Sequence, residues 1–206
     1  VPEVFDRFNF YWESIPDLDK DNLAGMMCTC VDQDGVLIGN AFPKSPCIDG
    51  FFEMIFDHGV RHEKLFCYKT QIMKQYNFPL VDRYVPESTV LWNISSKYKT
   101  LFFNESLRIY TKPIKENNNL SFLDTRDYPH GYRQNFKDLI NLHSNKLYLR
   151  PRTLISFLFN YVLYSKLAGF GIKSIFIDMK PYLIRLLFIL VYLPLSILAS
   201  LRIKQT

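Results

Sequence analysis

The C-terminal segment constrains the fold of this 206-residue chain more than any other stretch. Its sequence contains 16 consecutive residues without a charge, from Leu186 to Leu201. As a helix this run would be about 24 Å long, which is shorter than the ~30 Å hydrocarbon core of a bilayer. Extension back to Tyr182 gives 20 residues but includes Arg185, whose side chain could snorkel, and Pro194 would bend the helix. Residues 182–201 are therefore an in-plane membrane anchor, a true span or a buried packing helix.

The charge of the chain is divided unevenly between its two parts. Residues 1–129 carry 14 Lys and Arg against 18 Asp and Glu, a net charge of −4, whereas residues 130–206 carry 11 against 2, a net charge of +9. The second part is also rich in Leu, Ile, Phe and Tyr, which favours an anionic membrane surface over a nucleic acid as partner. A basic helical subdomain that covers the core is the alternative. We predict a domain over 1–129 and a helical, basic and apolar region over 130–206.

The first part alternates between strand and helix patterns, which predicts an α/β or α+β fold. A helix is expected over Phe5–Ile15, and a hairpin over residues 26–38, with its turn at Asp32–Gly35. Further strands are expected in LFCYKT, and two short ones around Asn104 with a turn at Asn104–Glu105. Phe51–Gly59 reads as a short helix or strand, and Gly39–Gly50 and residues 113–131 as loops. From Tyr132 onward the pattern is helical, with one helix running from Pro151 to Gly169.

The cysteines indicate reduced, mostly buried thiols in a cytosolic setting. Cys28 and Cys30 alternate on the expected strand, so both would point to one face, and no C-x-x-C pair or His cluster indicates zinc. No signal-peptide pattern is visible, and the chain begins with Val1 rather than Met, so we expect a fragment.

Glu87 is the main candidate for chemistry. It follows Pro86 at the expected start of a helix over about residues 86–97, in the stretch DRYVPESTVLWNISSKY. The helix macrodipole stabilises a carboxylate there by roughly 0.3–1 kcal/mol, so a structural cap explains the residue equally well. Trp92 would lie about 140° around the helix from Glu87, which favours a core position over a sugar-stacking platform.

Four stretches, in order, resemble the C-terminal half of a family 2 glycosyltransferase with a GT-A fold. They are GMMCTCVDQDGVLIGNAFP, EKLFCYKT, NFPLVDRYVPESTVLWNIS and YKTLFFNESLRIY. The chain looks most like the bacterial enzymes that build capsule, exopolysaccharide or cell-wall glycans, and the likeness covers roughly residues 1–112. It implies an acidic base at the helix start, which maps onto Glu87, with Asp82 as a second candidate. Where the family often has an acidic pair, this chain has Pro86–Glu87, so one carboxylate remains.

The resemblance also implies a nucleotide-sugar donor and a divalent metal, Mg²⁺ or Mn²⁺, held mainly by an Asp-x-Asp motif in the family's first half. That motif and its strand–helix repeat are not found in these 206 residues. Asp32-x-Asp34 is interpreted as the hairpin turn instead. His130 is a weak candidate for a C-terminal metal ligand, and Arg133 a candidate contact to the donor diphosphate.

Other polar residues have two explanations each. Arg61, His62 and Lys64 could contact an acceptor or a phosphate, or could simply form a solvated turn. Acceptor selectivity is expected in the Gly39–Gly50 and Lys115–Gly131 loops.

The leading hypothesis is an inverting glycosyltransferase on the cytoplasmic face of the cell membrane, which needs the missing nucleotide-binding half and acts on a glycan or lipid-linked acceptor. The alternative is a catalytically inactive remnant that serves as a membrane-associated binding module.

Overall fold

The structure is a computed structural model that describes residues 3–111 and 124–204. Two compact units account for these residues. The first comprises Val1–Asn77 and Ile94–Ser121, and the second comprises Phe78–Asn93 and Phe122–Thr206. The segment 78–93 therefore groups with C-terminal residues, while the predicted division at residue 129 stays a prediction about domains.

The first unit contains a small mixed sheet with short helices around it. Its elements are α1 (Val4–Glu13), α2 (Asp17–Lys20), β1 (Leu23–Val31), β2 (Cys47–Asp49), α3 (Phe51–Phe56), β3 (Leu65–Tyr68), α4 (Thr70–Gln75) and β4 (Lys99–Ile109). Helix α5 (Ser88–Ser95) begins in the second unit and ends in the first. Together with the helices of the second unit, this sheet confirms the predicted α/β class.

The four strands lie in the order β2-β4-β1-β3. The two central strands, β1 and β4, are parallel, and the edge strands β2 and β3 are antiparallel to their neighbours. Strand β1 is buried along almost its whole length, as expected of a central strand covered on both faces.

Helix α1 packs against one face of this sheet. Phe8 lies 5.7 Å from Phe103 edge to face, and Tyr11 stacks on the same ring at 3.9 Å between centroids. The Nε of Arg7 donates to both carboxylate oxygens of Glu105 at 2.9 Å. The apolar side chains of α1 thus form one core with β1 and β4, and the predicted N-terminal helix is confirmed within two residues.

The two short strands predicted around Asn104 are wrong, because β4 is one continuous strand. The chain accommodates Asn104 in a bulge of β4. Cys28 of β1 pairs with Phe103, but the next residue of β1, Thr29, pairs with Ser106. Asn104 Oδ1 accepts from the Phe42 N–H at 2.8 Å, and its Nδ2 donates to the Phe42 carbonyl at 2.8 Å. The amide side chain therefore forms, with a distant loop, the pair of bonds that a neighbouring strand would provide.

The predicted hairpin is shorter on its return side than expected. Asp32 Oδ1 accepts from the Asp34 N–H at 3.1 Å and the Val36 N–H at 2.9 Å, and Gly35 has a φ of 76°. These bonds confirm the interpretation of Asp32-x-Asp34 as a turn. The returning strand is reduced to one bridge, between Val31 and Leu37.

The second unit is helical among its described residues. It contains a 3₁₀ turn (Thr125–Asp127), α6 (Pro129–Leu142), α7 (Ser144–Tyr148), α8 (Pro151–Leu167), α9 (Ile172–Asp178) and α10 (Tyr182–Lys204). Helix α8 packs against both α6 and α10, and its Leu158, Tyr161 and Val162 are fully buried. The loop predicted over residues 113–131 lies largely outside the described residues; its last part forms the 3₁₀ turn and the start of α6.

Helix α10 is long and apolar enough to cross a membrane by length and composition, and it is the one such helix in residues 3–111 and 124–204. Four of its residues, Ile184, Phe188, Leu195 and Ala199, are buried and form a single stripe. Most of its other apolar side chains are exposed, and α10 packs on α8 among the described residues, so the choice between anchor, span and packing helix stays a prediction.

Candidate functional site

Glu87 stands at the N-cap of α5. Its carbonyl accepts from the Leu91 N–H at 3.3 Å and the Val90 N–H at 3.0 Å, and its side chain is exposed. Pro86 beside it is buried, so the chain enters the helix from a fixed direction. The carboxylate is therefore carried by a residue whose backbone is held in place, which suits a group that must meet a substrate in one orientation.

Helix α5 is fixed to α6 through one buried amide. Asn135 Oδ1 accepts hydrogen bonds from Ser88 Oγ (2.9 Å), Thr89 Oγ1 (3.2 Å) and Trp92 Nε1 (3.1 Å). Trp92 is 5% exposed, which confirms the predicted core position. The three donors lie in the helix that Glu87 caps, so Asn135 holds the start of α5 rigidly.

Asp82, the second carboxylate candidate, caps the N-terminus of α6. Its Oδ2 accepts from the backbone N–H groups of His130 (3.0 Å) and Gly131 (3.2 Å), and its Oδ1 accepts from the Arg83 N–H at 2.8 Å. Anions are stabilised at helix N-termini by unsatisfied N–H groups and the macrodipole. These bonds give Asp82 a structural role and leave fewer lone pairs for a substrate proton.

The segment that carries Asp82 is pressed against α6. A Cβ on Gly131 would lie 2.1 Å from the Tyr84 carbonyl oxygen, so only glycine permits this approach. Tyrosines surround the contact, with Tyr84 5.7 Å from Tyr128 and 6.1 Å from Tyr132, measured between ring centroids. Burial raises the pKa of Tyr132 to about 12, so its hydroxyl stays protonated at neutral pH.

Arg133, the candidate diphosphate contact, is buried inside the second unit. It is 6% exposed, donates through Nη2 to Asp178 Oδ2, and lies with Cζ 3.8 Å above the Phe170 ring. Its Nη2 also lies 3.4 Å from the Tyr161 hydroxyl, and burial raises the pKa of Tyr161. This position ties α6 to α8 and α9, and the proposed diphosphate contact stays a prediction.

His130 does not gather other metal ligands around it. Its side chain is exposed, and its ring lies edge to face with Phe170 at 5.8 Å. No group of three or more His, Cys, Asp or Glu side chains that could hold a metal occurs within 3–111 and 124–204. The described residues therefore do not by themselves form a site for a divalent metal.

Arg61, His62 and Lys64 lie in the first unit, on the loop before β3. His62 has a φ of 68°, the one non-glycine residue with a positive φ among those described, and both it and Arg61 are exposed. Lys64 Nζ donates to the Arg61 carbonyl at 2.9 Å and the Ile38 carbonyl at 3.4 Å, and burial lowers its pKa. Lys64 thus stabilises the loop through its own hydrogen bonds. Arg61 and His62 are exposed, and His62 has a strained backbone, so a contact of these two residues with an acceptor or a phosphate stays a prediction.

The cysteines offer no reactive thiol in the protein interior. Cys28 and Cys30 are fully buried, and burial raises the pKa of Cys28 to about 12 and raises that of Cys30. All four cysteines are free. Thiols with raised pKa values stay protonated at neutral pH and are poor nucleophiles, and the burial of Cys28 and Cys30 agrees with the predicted buried thiols.

Comparison of the chain with family models, curated proteins and solved structures finds no match.

Two residues that matter for the site were not predicted from the sequence. Asn135 was missed, although Gly131, Asn135 and Leu139 recur every four residues on α6, and a polar residue on such a buried stripe signals a hydrogen-bonded partner. Asp178 was missed because its partner Arg133 lies 45 positions away, with no local pattern linking them.

Proposed function

We propose that this chain is the acceptor-side part of an inverting glycosyltransferase with a GT-A fold, and that Glu87 is its general base. The observation that carries the proposal is the exposed carboxylate at the N-cap of α5, on a helix start fixed by Asn135. In-line attack on a sugar requires a base that is held in one position beside the acceptor hydroxyl, and the fixed helix start gives Glu87 a fixed backbone.

The order of elements supports the proposal. EKLFCYKT forms β3 and the turn into α4, PES forms the start of α5, and YKTLFFNESLRIY forms β4. The resemblance to family 2 enzymes implies this order of strand, helix, acidic helix start and strand. The mixed sheet around β1 and β4 is compatible with the same proposal.

The chemistry assigned to Glu87 is proton transfer. A hydroxyl of the acceptor attacks the anomeric carbon of the donor sugar, and its proton moves to a carboxylate oxygen of Glu87. The bond between that carbon and the diphosphate oxygen breaks, and the nucleoside diphosphate leaves with the bonding electrons. A positioned carboxylate base contributes typically 10²–10⁴-fold to such a step.

The donor side of the reaction is assigned to residues outside the 206. In this proposal the nucleotide-sugar and a Mg²⁺ or Mn²⁺ ion are bound by a strand–helix repeat with an Asp-x-Asp motif. Arg61 and His62 are proposed contacts to the acceptor or a phosphate. The acceptor is a glycan or lipid-linked sugar at the cytoplasmic face of the cell membrane, which the apolar α10 would approach.

Replacement of Glu87 tests this role. In the full-length protein, Glu87→Gln should lower transfer from a nucleotide-sugar by about 10²–10⁴-fold, because the amide cannot accept the proton. The measurement is release of nucleoside diphosphate with a panel of donors, alongside urea unfolding to show an unchanged fold.

Glu3→Gln is the matched control. Glu3 is also an exposed glutamate at a helix N-cap, without a side-chain cap bond, so its replacement should leave transfer unchanged. Wild-type turnover by the Glu87→Gln variant would remove Glu87 from the mechanism.

An inactive remnant is the second candidate, and one observation favours it. Asp82 and Arg133, both candidate site residues, are engaged in bonds that hold the second unit together. A remnant would keep such structural residues while losing donor binding. Absence of donor binding by the full-length protein, with membrane binding retained, would favour this alternative over transfer.

A further inference from the structure

The outward face of α10 is apolar from Leu186 to Leu201. Leu190 is 79% exposed, Leu193 68% and Ile189 59%, and no charged residue falls between Leu186 and Leu201. Soluble proteins expose single apolar side chains but seldom a continuous helix face of this kind. The face therefore needs an apolar partner.

An open groove between α8 and α10 widens this apolar surface. It has a volume of about 590 Å³ and is lined chiefly by Ile155, Phe159, Leu195, Leu198 and Leu201. At its end lies Arg202, which also lines a neighbouring polar cavity of about 340 Å³. In that cavity Asp124 and Arg126 are paired with each other, and Arg202 is a second guanidinium group in the lining.

Basic residues follow and precede the apolar run. Arg202 and Lys204 stand in the last turn of α10, Lys180 precedes the helix, and all three are exposed. The described residues 130–204 carry 11 Lys and Arg against 2 Asp and Glu. Positive charge beside an exposed apolar face complements a surface of anionic lipid and not a second copy of the same basic unit.

Contacts between α8 and α10 limit the orientations that α10 can take in a bilayer. Lys166 of α8 donates through Nζ to the Ser196 carbonyl at 2.9 Å and to Ser200 Oγ at 2.7 Å. If α10 spanned the membrane, this ammonium group and the helix that carries it would enter the hydrocarbon. The opposite face of α8 contributes Tyr161 to the partly buried Arg133–Asp178 ion pair, which would enter the hydrocarbon as well.

We propose that α10 lies in the plane of an anionic phospholipid surface, with its outer face and the α8–α10 groove among the acyl chains and Arg202 at a lipid phosphate. This orientation keeps Lys166 and the Arg133 pair on the protein side of the helix. It also suits the uncharged run within α10, whose 16 residues make about 24 Å of helix and are shorter than a ~30 Å hydrocarbon core, although the whole helix is long enough to cross one. The proposal does not depend on sugar transfer.

Binding to vesicles tests the outer face. The full chain is sedimented with vesicles of phosphatidylcholine containing about one third phosphatidylglycerol. Leu190→Asp and Leu193→Asp should each weaken binding about tenfold or more, because each removes a leucine from the hydrocarbon and adds a charge. Leu18→Asp and Leu149→Asp are matched controls: both leucines are exposed, at 90% and 81%, and neither belongs to α10, so their replacement should change nothing.

Arg202 is tested separately on two vesicle compositions. Arg202→Gln should weaken binding about fivefold on the anionic vesicles and leave the weaker binding to pure phosphatidylcholine unchanged. Equal loss on both compositions would overturn the phosphate contact. If the Leu190 and Leu193 variants abolish self-association while vesicle binding stays at the wild-type level, a second copy is the occupant and the proposal fails.

Depth measurements distinguish the in-plane orientation from a span. Environment-sensitive labels are attached to single cysteines placed at Leu186, Leu193 and Ile197, with Cys47 and Cys67 replaced by serine. These three positions share one side of the helix but extend about 16 Å along its axis. Equal quenching by lipid-borne nitroxides supports the in-plane orientation, and depths that change steadily along the helix overturn it.

Discussion

At the scale of single residues, Arg133 has two proposed roles: a structural ion pair with Asp178 and a contact to the donor diphosphate. Its burial and its bond to Asp178 predict that Arg133→Met lowers the free energy of unfolding by about 2–3 kcal/mol, because a partly buried carboxylate loses its partner. Urea unfolding measures the loss. The figure is below the 3–5 kcal/mol of a fully buried pair, since the Asp178 side chain is 30% exposed.

The double variant Arg133→Met with Asp178→Leu is the control for this residue. It removes both charges and should recover most of the lost stability. An unchanged urea midpoint in Arg133→Met would contradict the structural role, and loss of transfer in a stable double variant would instead support the diphosphate contact.

At the scale of elements, the pairing of β1 with β3 depends on Gly25. A Cβ there would lie 2.2 Å from the Cys67 carbonyl oxygen and 2.6 Å from the Tyr68 Cα, both in the neighbouring strand. We predict that Gly25→Ala destabilises the first unit by about 1–3 kcal/mol, the usual cost of overpacking, as measured by urea unfolding.

Gly171→Ala makes the matched comparison for Gly25. An added Cβ at Gly171 meets nothing within 4 Å, and its φ of −82° is open to any residue. This variant should unfold like the wild type. Equal stability of the two alanine variants would show that β3 yields to accommodate a side chain.

At the scale of the whole molecule, the segment 78–93 belongs with residues that follow it much later in the chain. We predict that truncation after residue 129 exposes Trp92, because Asn135 and His143, which bond its indole and its carbonyl, are removed. Its fluorescence should shift to longer wavelength, read in a Trp12→Phe background. An unshifted spectrum would mean that residues 1–129 bury Trp92 unaided and would favour the predicted boundary at residue 129.

Local patterns predicted much of the secondary structure. The predicted helix from Pro151 to Gly169 is α8, since a proline at the first turn and a glycine at the end act within a few residues. Strand β2 was missed inside the expected Gly39–Gly50 loop because three residues have no periodicity, and its pairing with Thr100–Phe102 of β4 defines it.

The sequence by itself predicted the long helices, the central strand β1, the buried position of Trp92 and an apolar, basic-flanked C-terminal segment. These properties depend on side-chain type and spacing along a few turns. Only the tertiary structure decided that Asp82 caps α6 across 48 positions, that Arg133 is buried against Asp178, and which face of α10 is exposed. Such roles depend on which distant groups fold against each other, and a carboxylate or guanidinium has the same sequence signature whether it binds a substrate or its own chain.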